Sequence, residues 1–126
     1  MIVEQIKNQV YPGTVIPKPE AKANFVVKGW GKRRGENALI YKIPNHKNPN
    51  RPYQKGITES EFRQAHRQII NNGNFTREWF DQNLQPCAEE GGCNFTTIGG
   101  IFELLGIAYY ERGVYCRLGT LEGACP

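Results

Sequence analysis

Residues 23–43 read ANFVVKGWGKRRGENALIYKI. Two runs in it, ANFVVK (23–28) and NALIYKI (37–43), are rich in β-branched and aromatic side chains. Between them lies Gly29-Trp30-Gly31-Lys32-Arg33-Arg34-Gly35. The pattern predicts two strands joined by a glycine-rich basic loop, most simply as a hairpin. Pro44 ends the second strand because it has no amide to give to a ladder. The glycines do not make a dinucleotide fingerprint: their spacing is wrong, and a strand follows where a helix should.

Downstream, residues 45–57 (NHKNPNRPYQKGI) show no periodicity and read as a loop. Thr58-Glu59-Ser60-Glu61 then forms a capping box. Phe62, Ala65, His66, Ile69 and Ile70 follow at helical spacing, which predicts a helix over 59–71 stopped by Gly73. Thr76 caps a second helix, with Phe75 and Phe80 as a hydrophobic staple and Trp79, Phe80 and Leu84 facing the core. Pro86 is read as its end and residues 86–94 as a loop. Ile98, Ile101, Phe102 and Leu105 mark a third helix, stopped by Gly106. The runs 107–110 and 114–118 flank Glu111-Arg112-Gly113, a hairpin signal. At the other end, Ile2, Val3, Ile6 and Val10 suggest a short amphipathic helix, and Pro17 and Pro19 keep the next stretch extended. The fold expected is α+β: one compact domain over 1–126, with an antiparallel sheet and two or three helices packed on it. Its parts are a basic hairpin and loop (23–57), a helical segment (58–106), a C-terminal hairpin (107–118) joining the same sheet, and a frayed tail (119–126).

At 126 residues and 14.3 kDa the chain is too short for a two-domain dehydrogenase or kinase. Its mean hydropathy is −0.58, and no apolar run approaches the ~20 residues of a membrane helix. The start, MIVEQIKNQV, places Glu4 and Lys7 among its apolar residues, unlike a signal peptide, so a cytoplasmic setting without membrane contact is expected.

Charge is unevenly spread. Residues 1–58 hold eleven Lys and Arg against three acids, a net +8, and residues 59–126 hold five against nine, a net −4. The +4 total and pI near 8.9 therefore hide a basic half. In it, Lys28, Trp30, Lys32, Arg33, Arg34, Tyr41 and Lys42 interleave cations with aromatics, and His46, Lys47, Arg51, Tyr53 and Lys55 continue the pattern. Cations neutralise phosphates, and Trp30 and Tyr41 would stack on unpaired bases. The leading expectation is a non-catalytic protein binding nucleic acid or another polyanion there. The alternative is a homo-oligomer, most simply a two-fold dimer, or a small-ligand protein. It would use the aromatic C-terminal half, with Phe102, Tyr109, Tyr110 and Tyr115 in the contact. A small enzyme with a pocket around His46 or His66 comes third.

Other constellations carry less. The helix pair 59–71 and 77–85 resembles a helix-turn-helix in spacing. Its second helix, however, offers Glu78 and Asp81 beside Arg77, which repels phosphate. Cys87, Cys93, Cys116 and Cys125 lack the paired spacing of zinc sites, so neither metal nor cofactor is expected. A Cys87–Cys93 disulfide would close a short loop. Cys116 alternates with Val114 and Leu118 and reads as a buried apolar filler. Glu36 reads as a local ion-pair partner of Arg33 and Arg34.

Two runs, Gly31 to Pro44 and Cys93 to Phe102, resemble small bacterial proteins of the kind carried on mobile, integron-type gene cassettes. That resemblance implies a cytoplasmic, often oligomeric bacterial protein. It brings no function and no functional residue with it.

Overall fold

A computed structural model describes residues 1–21, 23–119 and Cys125. Helix α1 (Ile2–Gln9) buries Ile2, Val3 and Ile6, the face its spacing marks. Four strands follow: β1 (Val15–Ile16), β2 (Phe25–Arg33), β3 (Glu36–Ile43) and β4 (Tyr53–Thr58). They form an antiparallel meander in the order β1-β2-β3-β4.

The predicted hairpin is present, but its loop is far shorter than expected. Strand β2 runs through Gly29, Trp30, Gly31 and Lys32, and only Arg34 and Gly35 turn the chain. Both take positive φ, 49° and 76°, as the tight hairpin turn requires. The glycines serve packing instead. A Cβ at Gly31 would lie 3.0 Å from the Ile40 side chain, and one at Gly56 would lie 2.8 Å from it. Strand β4 was hidden in the expected 45–57 loop. Its apolar content is low because the ladder to β3, with Ile57 opposite Leu39, rests on backbone pairing.

Thr58 ends β4 and caps α2 (Glu59–Asn72) with the expected capping box, and Gly73 closes the helix at φ 84°. The chain continues through β5 (Asn74–Thr76), α3 (Arg77–Asn83), α4 (Gln85–Glu90), α5 (Cys93–Leu104), β6 (Ala108–Glu111) and β7 (Val114–Arg117). The C-terminal hairpin does not join the first sheet. It builds a second, ordered β5-β7-β6, because Phe75 of β5 pairs opposite Tyr115. Residues 86–94 are also more helical than expected. Pro86 lies in the first turn of α4, where its missing amide costs nothing.

The architecture is thus α+β, with an aromatic core between the two sheets and the helices. Phe75 is its hub, with ring centroids at 4.9 Å from Phe95, 6.3 Å from Phe80 and Tyr115, and 6.4 Å from Phe102. Cys116 is buried as expected, but it is bonded to Cys125 and is not a free filler, while Cys87 and Cys93 are free thiols. The predicted frayed tail falls mostly outside the described residues. No helix among the described residues is long and apolar enough to cross a membrane.

Candidate functional site

The basic hairpin does not present its charges as one block. Arg34 sends Nε and Nη2 to the two carboxylate oxygens of Glu61, each at 2.7 Å, and Nη1 to Glu90 at 3.0 Å. Its Nη2 also donates to the Gly56 carbonyl at 2.8 Å. Arg33 Nε donates to Glu90 at 3.0 Å. These guanidinium groups therefore lock the hairpin turn onto α2 and α4. Glu36 is not their partner; it accepts from the Ser60 hydroxyl at 2.9 Å.

Tyr41 cannot stack on a base, because it is fully buried under the central strand β3 and donates its hydroxyl proton to Asn94. Trp30 stays partly exposed, with the Lys7 ammonium 5.1 Å from its ring centroid. Lys28 donates to Gln54 and Lys32 to Asn37, both at the surface. His46, Lys47 and Arg51 are exposed on the loop before β4, and Lys42 and Lys55 are half-buried. Among the described residues no carboxylate forms a salt bridge with Lys28, Lys32, Lys42, Lys47, Arg51 or Lys55.

The proposed oligomer contacts fare differently from one another. Phe102 and Tyr115 are completely buried core residues, so they offer no surface to a second copy. Tyr110 is half-buried, its ring 5.1 Å from that of Tyr115. Tyr109 faces out. His66 packs its edge on Phe102, and burial lowers its pKa.

Sequence reasoning passed over the place where chemistry converges. A cleft of about 380 Å3 opens between residues 18–21, Phe25 of β2, the starts of α3 and α5, and the β6–β7 turn. Lys18, Phe25, Arg77, Cys93, Phe95 and Tyr110 line it, with Glu20 also in the wall. Neither histidine lines it.

Lys18 lies between Pro17 and Pro19, and its side chain reaches the start of α5. The ammonium donates to the Cys93 carbonyl at 2.9 Å and to the Thr96 and Thr97 hydroxyls at 2.8 and 2.7 Å. It also sits 4.4 Å from the Phe25 ring centroid. Burial pulls its pKa down to about 7; Cys93 opposes this, while Arg77 and Lys55 reinforce it. Arg77, the first residue of α3, is exposed. It donates one N–H to the Gly92 carbonyl at 2.9 Å and lies 4.7 Å over the Phe95 ring. It forms no salt bridge among the described residues.

Cys93 opens α5, half-buried, with its sulfur 3.3 Å from the Tyr41 hydroxyl. Burial raises the Tyr41 pKa, so that phenol stays protonated. Asn94 accepts from Tyr41 and donates to the Cys87 carbonyl and to Glu90. One hydrogen-bonded chain therefore runs from the Arg34 cluster to the cleft wall.

The cleft offers two cations, aromatic walls and a thiol. Its chemistry suits an anion with an apolar body. Among the described residues no three His, Cys, Asp or Glu side chains group to hold a metal ion. Comparison with known proteins returns no match to a family model, a curated protein or a solved structure.

Proposed function

We propose that this protein binds a small organic anion in the Lys18–Arg77 cleft and acts as a ligand-binding protein. The observation that supports it is the convergence on one aromatic-walled cleft of two cations from different elements that form no salt bridge among the described residues. Lys18 spends its three donors on α5, so it contributes charge. Among the described residues Arg77 spends one of its five N–H donors, on the Gly92 carbonyl.

Fluorescence titration with anilinonaphthalene sulfonate tests this, because the sulfonate keeps its charge across the working range. Saturable binding of one molecule per chain is expected. Arg77→Gln and Lys18→Met should each weaken it about tenfold, the scale of one lost charged contact. Raising the pH from about 6 to about 8 should also weaken it, because Lys18 loses its proton near pH 7. Lys18→Met should abolish that pH step. Affinity indifferent to Arg77→Gln would overturn the reading.

A second reading keeps the exposed Lys28, Lys32, His46, Lys47 and Arg51, with the half-buried Lys42 and Lys55, as a polyanion surface. Trp30, partly exposed on β2 between Lys28 and Lys32, neither of which forms a salt bridge among the described residues, favours it. Tryptophan quenching by oligonucleotides should then weaken with salt, and Lys28→Ala with Lys42→Ala should lower the salt slope by about two. Quenching that ignores salt would sink it. Arg33 and Arg34 are unsuitable for that test, since their substitution removes internal ion pairs.

A further inference from the structure

We propose that the ligand of the cleft is a zwitterion, an amino acid with an apolar body between its two charges, whose anionic group meets Arg77 and whose ammonium meets Glu103. The proposal rests on the anion-binding reading of that cleft and adds an oppositely charged contact in the hollow beside it.

That second hollow, of about 350 Å3, adjoins the cleft: Lys18, Pro19, Glu20 and Tyr110 line both, and Pro17 and Glu103 line only the second. Glu103 is the residue there that stability does not explain. It lies in the last turn of α5, where the helix dipole disfavours an anion. It is half-buried, and burial raises its pKa. The Tyr110 amide donates to it, which orients the carboxylate. No cation forms a salt bridge with it among the described residues. Lys18 borders the same hollow, but its ammonium is committed to Cys93, Thr96 and Thr97.

A carboxylate is therefore held partly out of water, at the wrong end of a helix, beside open space. A cation that arrives with a ligand relieves that cost. The spacing sets the ligand's class. Arg77 lies over Phe95, and Glu103 follows Phe95 by eight residues of α5, roughly 12 Å along the helix axis. An α-amino acid carries both charges on one carbon and does not bridge that span. An ω-amino acid with a ring between its charges does, and Phe25 and Phe95 offer that ring apolar walls.

The test displaces anilinonaphthalene sulfonate with matched probes: para-aminomethyl-, para-aminoethyl- and para-aminopropylbenzoate, each against the alkylbenzoate of the same length. The best zwitterion should act at about tenfold lower concentration than its alkyl partner, the scale of one charged contact. Glu103→Gln keeps an acceptor for the Tyr110 amide and removes the charge. It should abolish that preference, leave the alkylbenzoates unchanged and raise Tm at neutral pH. Glu20→Gln, at an exposed carboxylate beside both hollows, should leave the preference in place. Arg77→Gln should weaken both members of each pair. No zwitterion preferred over its partner, or a preference that survives Glu103→Gln, would overturn the proposal. So would a lower Tm for Glu103→Gln, which would show that the carboxylate is already paired within the fold. Sulfonate binding by the wild type decides the cleft reading separately. Intact sulfonate binding without a zwitterion preference overturns only the role of Glu103, and absent sulfonate binding fails the cleft reading itself.

Discussion

Gly99→Ala is expected to destabilise the protein by about 2–3 kcal/mol and lower its Tm by about 10 °C. Intrinsic propensity argues the other way, since alanine is favoured over glycine in a helix interior by about 1 kcal/mol. Space decides. A Cβ on Gly99 would lie 2.1 Å from Cζ of Tyr115 and 2.2 and 2.4 Å from its Cε atoms. That ring cannot step aside: it is fully buried, with Phe95 at 5.3 Å and Tyr110 at 5.1 Å between centroids. The cost falls on the contact between α5 and β7, which joins the second sheet to the core. Gly92→Ala is the control, because its Cβ would meet only the Arg77 guanidinium at 3.5 Å, an ordinary contact. Thermal denaturation of both variants checks the contrast. Gly99→Ala combined with Tyr115→Leu should lose less than the sum of the two changes. An unchanged Tm for Gly99→Ala would mean that Tyr115 does not pack on α5 as described.

That contact also shows what the sequence makes legible. The 59–71 helix is read within a residue because its cap, its apolar stripe and its glycine stop are all local. The two hairpins are read for the same reason: strand propensity and turn residues sit side by side. What fails is whatever depends on distant partners. Phe75-Thr76 looked like the entry to a helix, and it is also a strand, because Tyr115 and Val114 pair with it some 40 residues away. Tyr53 to Thr58 carries little apolar periodicity, so only the exposed edge of β3 makes it a strand. Pro86 was read as a stop when it is equally suited to a start.

The candidate site was less legible, for a sharper physical reason. Arg33 and Arg34 stand in the most basic stretch of the chain, but their fate is set by Glu61 and Glu90, 27 and 56 residues further on. Tyr41 shares a face of the sheet with Val27, and that face turns inward. Lys18 has no local signal at all. Its three acceptors lie 75 to 79 residues downstream, and only the fold brings the start of α5 to the Lys18 side chain. Prolines on either side of a lysine were the one available hint: they fix an extended backbone, from which a long side chain reaches furthest.

The second large effect is expected at Arg34. Arg34→Met should cost about 3 kcal/mol at neutral pH, the lower end for breaking a largely buried ion pair. Glu61 is 6% exposed and already accepts from the Thr58 amide at 2.8 Å as part of the α2 cap. Without the guanidinium it stays buried as a bare carboxylate near Glu90, which also loses a cation. Burial alone would raise the Glu90 pKa, but hydrogen bonds from Arg34, the Gly56 amide and Asn94 outweigh it and hold the carboxyl low. A depressed folded pKa stabilises above the ordinary carboxylate range, and that stabilisation is lost as pH falls through the folded value. The gap between wild type and Arg34→Met should therefore be widest near pH 7 and narrow below about pH 4. Urea denaturation at several pH values measures it. Adding Glu61→Met should restore part of the loss, since replacing both partners by apolar groups leaves no unpaired charge. A gap that does not change with pH would show that Arg34 acts by packing its stem on the sheet and not through its charge. The chain from Glu90 through Asn94 to Tyr41 gives the same substitution a reach beyond stability. It removes one of the two guanidinium groups that hold Glu90, which accepts from Asn94 beneath the Cys93 wall of the cleft.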